Sequence, residues 1–131
     1  LFCGDTLFSA GCGKIFEGTP LQMHQSLSRF SALPYNTKVY CGHEYTQSNL
    51  AFAITVEPDN QSIKDKIEEV NKLRELGKET LPSDIASELK INPFMRCREK
   101  TVIDAATNYS GNELNEPHEV LGAIRNWKDN F

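Results

Sequence analysis

The residue types able to hold a metal cluster in two short stretches. One is Gly4-Asp5-Thr6-Leu7-Phe8, with its glycine-rich tail Ala10-Gly11-Cys12-Gly13-Lys14; the other is Cys41-Gly42-His43-Glu44-Tyr45. Asp5 offers carboxylate oxygens and His43 an imidazole nitrogen, both donors that zinc accepts. A catalytic zinc takes about three protein ligands plus an open position, and a two-metal site takes more. His24, His118 and scattered carboxylates remain as candidates, and none stands at H-x-H or H-x-x-x-H spacing. Either the pair is structural or further ligands lie on sequence outside this chain; the second reading is adopted. Lys14 directly follows Gly11-Cys12-Gly13, where glycine permits positive φ and close approach to an anionic ligand. Taken alone, Gly-x-Gly is equally a plain turn.

Each stretch follows a short apolar run that reads as a buried strand, residues 1–4 and 37–41, and loops at strand ends carry chemistry that the sheet holds still. Residues 5–18 are expected to form a long loop. Thr19-Pro20-Leu21-Gln22 opens a helix, with Thr19 as cap, Pro20 at the first position and Gln22 completing a capping box. Met23, Leu27 and Phe30 recur at helical spacing, and His24 beside them reads as a boundary histidine. Strand, helix, strand suggests a crossover unit on a sheet. Two strands do not make a stable sheet, and residue 1 already lies inside a strand without an initiator Met. A segment of a longer protein is expected.

A helix is expected from Glu44 to about Val56, broken at Glu57-Pro58-Asp59, where a domain boundary is placed. No strand is expected after Pro58. Asn60 caps a long amphipathic helix with Ile63, Ile67, Val70, Leu73 and Leu76 inward and Gly77 as its stop. Shorter helices are expected over residues 83–89 and 102–106, with a turn at Asn92-Pro93-Phe94 between them. Arg96, Arg98 and Lys100 read as a solvated basic stretch. Pro117 starts a last helix on which Arg125 and Lys128 share a face, a spacing that lets two cations converge on one carboxylate or phosphate. Solvent-facing charges that suit the helix dipole are the plainer reading of that pair.

The chain has 131 residues, 39% hydrophobic and 24% charged, with a net charge of -4. That is ordinary for a globular protein and argues against a nucleic-acid partner. No apolar run approaches the ~20 residues of a membrane span. Four cysteines without C-x-x-C spacing read as reduced, buried thiols rather than a zinc ribbon.

In order along the chain, Gly4–Phe8, Ala10–Lys14, Phe16-Glu17-Gly18-Thr19, Tyr40–Tyr45, Val56-Glu57-Pro58 and Asn92-Pro93-Phe94-Met95-Arg96 closely resemble glyoxalase II. That is the hydroxyacylglutathione hydrolase of the metallo-β-lactamase superfamily, and the match corresponds to about its second half. The resemblance implies an α/β metallo-β-lactamase-like fold, the C-terminal part of its αβ/βα sandwich, over residues 1–57. An all-α C-terminal domain that binds glutathione follows over 58–131. It implies hydrolysis of S-D-lactoylglutathione to D-lactate and glutathione by a metal-bridging hydroxide, formed because bound water is acidified to a pKa of about 7. Two divalent metals are implied, zinc first, with iron or manganese as alternatives. Asp5 matches the bridging carboxylate and His43 a terminal ligand; the other ligands belong to a T-H-x-H-x-D-H motif and a further His upstream. Lys14, Phe16, His43, Tyr45, Arg125 and Lys128 are implied as the substrate-binding set, with His43 serving also as the metal ligand. Many members carry Tyr where this chain has Phe16, a departure that removes one hydrogen bond of ~0.5–1.5 kcal/mol. The implied partners are a glutathione thioester and the missing N-terminal half of the same protein, in the cytoplasm or the mitochondrion. With two ligands only, the isolated chain is expected to be inactive. A non-catalytic glutathione-binding module is the alternative.

Overall fold

The computed structural model describes residues 1–15 and 18–131, so the expectation for Phe16 lies outside the described residues. In chain order the elements are β1 (Phe2–Gly4), β2 (Leu7–Phe8), β3 (Gly11–Cys12), α1 (Pro20–Ser31), β4 (Lys38–Cys41) and α2 (Thr46–Val56). They continue with α3 (Gln61–Glu75), β5 (Ser83–Asp84), α4 (Ile85–Ile91), a 3-10 turn (Pro93–Met95), α5 (Lys100–Ser110) and α6 (Pro117–Asp129). This is a mixed α/β arrangement.

The helices begin where their caps dictate. Thr19 accepts from the Gln22 amide and the Gln22 side chain accepts from the Thr19 amide, the reciprocal box expected from sequence. The Asn60 side chain caps α3 by accepting from Ile63 N–H. α2 starts at Thr46 rather than Glu44, because Tyr45 takes the cap position without a side-chain bond.

β1 and β4 run parallel, joined by α1, as the strand-helix-strand order predicts. Two elements depart from expectation. The loop after β1 contains a hairpin, β2 against β3, paired Leu7 to Cys12 and Phe8 to Gly11. And a strand does follow Pro58: β5 adds antiparallel to β4 through Lys38–Asp84 and Val39–Ser83. All three strands, β2, β3 and β5, are two residues long, too short to show a period of two.

The core crosses residue 58. Leu7, Leu27, Val39 and Phe52 pack in one cluster with Ile85, Phe94, Val102, Val120, Leu121 and Ile124. A second cluster joins Ala10 and Leu50 to Ile63, Val70 and Ile91. The hairpin is therefore pinned between the strands and the helices that follow.

Arg96 is not part of a solvated stretch. Its Nε and one terminal nitrogen donate to the two Glu57 oxygens at 2.9 and 3.0 Å, and Thr101 Oγ1 donates to the same carboxylate at 2.6 Å. Burial pushes the Glu57 carboxyl up, but donors from Arg96, Thr101 and Asn60 outweigh it and hold it below the usual range. His24 is half-buried; its Nε2 lies 3.4 Å from Ser28 Oγ and its buried Nδ1 has no partner among the described residues.

Candidate functional site: a strand-end cleft with two metal-type donors

Asp5 and His43 leave the C-terminal ends of the adjacent parallel strands β1 and β4. Gly42 N–H donates to Gly4 O at 2.8 Å, which ties the two exits together. A Cβ on Gly42 would stand 2.7 Å from Asp5 Oδ1 and 3.2 Å from the Gly4 carbonyl oxygen, so glycine lets the two exits run close without displacing the Asp5 carboxylate. As a result Asp5 Oδ1 and His43 Nε2 lie 3.4 Å apart, both exposed. An ion with bonds of about 2.0–2.2 Å spans that separation at a roughly tetrahedral angle. The donor types and their spacing therefore fit one edge of a metal site. Among the described residues no group of three or more His, Cys, Asp or Glu side chains gathers to complete it.

The same cleft, ≈ 400 Å³, is lined by Asp5, Lys14, His43, Tyr45, Arg125 and Lys128. The structure thus brings together the described residues that the sequence matched to metal or glutathione roles, and leaves His24 and His118 outside the cleft. His43 and Tyr45 stack with centroids 5.0 Å apart and planes 14° from parallel. Their loop is anchored by Glu44, whose carboxylate accepts from the Thr80 amide at 3.2 Å and from the Thr80 hydroxyl. Burial raises the Glu44 pKa, yet these bonds hold it below its usual value.

The two α6 cations differ. Arg125 is 5% exposed and already engaged: it donates to Asp129 Oδ1 at 2.8 and 3.1 Å and to the Cys12 carbonyl at 2.8 Å. Its guanidinium also lies 5.4 Å from the Phe94 ring centre. Lys128 donates to Asn49 Oδ1. Burial lowers its pKa below 10.5, and the neighbouring Arg125 charge adds to that. An anion entering the cleft would relieve both costs. Lys14 stands exposed on the rim.

The expected freedom of the glycine loop is realised differently. Among the described residues neither Gly11 nor Gly13 has positive φ; the left-handed residue is Ala10, at φ 60°. The glycines serve close approach instead. A Cβ at Gly13 would lie 2.0 Å from the Asp5 carbonyl oxygen, and one at Gly11 would lie 2.7 Å from the Asn49 amide.

Three further residues were not singled out by sequence. Phe8 tilts against Tyr45 at 5.1 Å and His43 at 6.1 Å, forming an aromatic wall. Cys12 lines the base; burial pushes its thiol up to about 11, so the wall is a neutral thiol at pH 7. Asn49 bridges Lys128 to the Ser9 carbonyl, which it reaches at 3.1 Å. Phe8 lies within the Gly4–Phe8 stretch and Cys12 within Ala10–Lys14, while Asn49 follows Thr46 by three positions on a buried helix face, the only signal it gave. A separate groove of ≈ 220 Å³ beside His24 and Arg98 contains none of the expected residues.

Strand-end Asp and His donors beside a cation-rimmed cleft give a site suited to an anionic small molecule. Comparison with known proteins gives that class a family. Residues 44–131 match the family model described as the C-terminus of hydroxyacylglutathione hydrolase. The whole chain is 57% identical to the hydroxyacylglutathione hydrolase of Pseudomonas aeruginosa strain LESB58, covering 51% of that protein. It is 53% identical to that of Psychromonas ingrahamii (51% covered) and 51% identical to that of Aeromonas salmonicida (52% covered), over all of this chain in each case. The chain belongs to the hydroxyacylglutathione hydrolase family. It spans about half the length of the curated relatives it matches.

Proposed function

We propose that this chain supplies the glutathione grip and two metal ligands of an enzyme that hydrolyses S-D-lactoylglutathione to D-lactate and glutathione. The supporting observation is the convergence of Asp5 and His43 with Lys14, Tyr45 and Lys128 on one cleft, in a chain of this family. In this reading residues 1–57 close a metallo-β-lactamase-like domain and 58–131 form its helical glutathione-binding partner. The remaining metal ligands come from an N-terminal half.

Asp5 and His43 would hold the metals, two divalent ions with zinc as the first candidate. When bound, such ions acidify water and polarise a thioester carbonyl. The chain's own residues orient the substrate. Lys128 and Lys14 pair with the carboxylates of the glutathione moiety. The Phe8, His43 and Tyr45 rings pack the apolar part of the substrate and exclude bulk water beside the reacting end. Arg125 acts indirectly, holding the Cys12 backbone and adding positive potential behind Lys128.

Because the chain offers two donors, the isolated segment binds glutathione without hydrolysing the thioester. The experiment compares the longer protein with its variants. Asp5→Ala abolishes turnover, while Lys128→Ala raises KM about tenfold, the size expected from losing a hydrogen bond to a charged group, and leaves kcat nearly unchanged. Turnover surviving Asp5→Ala would overturn the assignment.

A further inference from the structure

Behind the cleft lies a buried carboxylate that the proposed chemistry does not use. Glu88 on α4 is 0% exposed. Four donors converge on it: Ala10 N–H at 2.8 Å and Asn92 Nδ2 at 2.9 Å on Oε1, Ser83 Oγ at 2.5 Å and Ser9 Oγ at 3.3 Å on Oε2. Ala10 holds a left-handed backbone that L-residues adopt reluctantly. It is also fully buried, so Glu88 takes the place of water as the acceptor for its N–H. Asn92 extends the grip, donating to the Phe8 carbonyl at 3.3 Å and the Gly11 carbonyl at 2.9 Å. The β2–β3 turn is thus bonded on all sides to α4 and to the segment after it.

The turn connects to one side of the cleft, where its strands place Phe8 and Cys12. At the open end of its hairpin Gly13 N–H bonds Thr6 O at 3.1 Å, directly between Asp5 and Lys14. From the turn itself the Ser9 carbonyl accepts from Asn49, whose oxygen holds Lys128. We infer that Glu88 is a positioning residue: its carboxylate fixes the Ser9-Ala10 turn and, through Asn49 and the hairpin, the placing of Lys128 and Lys14. The inference rests on the reading of the cleft as a glutathione site.

The test uses the longer protein that contains this chain. Glu88→Gln keeps the side-chain size, loses one acceptor oxygen and turns an N–H₂ group toward existing donors. Amide hydrogen exchange and glutathione titration are measured together. The expected result is cooperative unfolding, Ala10 exchange faster by about tenfold relative to the α5 amides, and a glutathione Kd raised about fivefold. In a Lys128→Ala background the same substitution should weaken Kd by less, since the route through Asn49 to Lys128 is gone and only that through the hairpin to Lys14 remains. Equal weakening in both backgrounds would mean general destabilisation and would overturn the inference. Ser9→Ala removes one donor and leaves the carboxylate; it should shift exchange and Kd the same way by less, and serves where Glu88→Gln does not fold. Unchanged Ala10 exchange in either folded variant also overturns the inference. A wild type that binds no glutathione, while Ala10 exchange still answers to Glu88→Gln, would sink the glutathione reading and keep the turn anchor.

Discussion

Lys128 is the residue whose chemistry depends most on what enters the cleft. Its folded pKa lies below 10.5 because it is half-buried and next to Arg125. A ligand carboxylate is gripped only by the ammonium form. Glutathione affinity should therefore be full at neutral pH and fall as pH rises through the lowered Lys128 value, beginning earlier than an exposed lysine would. Calorimetric titration from pH 7 to pH 10 checks this; an affinity flat across that range would contradict it. The i, i+3 spacing of Arg125 and Lys128 showed that two cations share a face. It did not show that Arg125 is taken up by Asp129 and by a carbonyl 113 residues away, because that partner arrives only through tertiary packing. Arg96 was hidden for the same reason: its alternation with Met95 and Cys97 looks solvated until Glu57 is placed beside it. Removing one partner of a buried pair leaves an uncompensated charge, so Arg96→Ala should destabilise by ~3–5 kcal/mol in denaturant unfolding. Glu57→Gln in the same chain should recover part of the loss. The sign with pH follows from the depressed Glu57 value. Its contribution to stability is present above the ordinary carboxylate pKa and is lost as pH falls through the folded one.

Among the elements, the β2–β3 hairpin, which lends Phe8 and Cys12 to the cleft and stands between Asp5 and Lys14, was least visible. Residues 5–18 look like a loop because Gly11, Gly13 and Gly18 punctuate them, and two-residue strands carry no periodicity. The parallel β1–β4 pair and α1 were legible because their signals are local: an apolar run before Gly4, another before Gly42, and a complete capping box between them. β5 is Ser-Asp, and only its pairing with β4 makes it a strand. The hairpin's tight crossing gives an element-scale prediction. Gly13→Ala places a methyl group onto the Asp5 carbonyl oxygen, so the hairpin must shift. Glutathione affinity should drop about tenfold, while hydrogen exchange in α3 and α5 stays close to wild type. An alanine that leaves affinity intact would show that the hairpin is not set by that contact.

Over the whole molecule, the strands and the later helices share a core, so the cleft is built from both sides of residue 58. Lys14 and His43 come from one side, Arg125 and Lys128 from the other. At the β1 edge, Phe2 is 86% exposed and stacks on Tyr40, itself 45% exposed, with ring centres 5.3 Å apart. An uncovered apolar pair on a strand edge favours association. Sedimentation of this segment alone should show self-association that Phe2→Ser reduces; a monomer at every concentration would contradict that. Glutathione binding in the cleft is tested most directly by a glutathione titration of the isotope-labelled chain followed by NMR. The prediction is saturable shifts at Lys14, Tyr45 and the α6 residues around Lys128, with the groove beside His24 unmoved. Absence of shifts in the cleft, or shifts concentrated at His24 and Arg98, would contradict it.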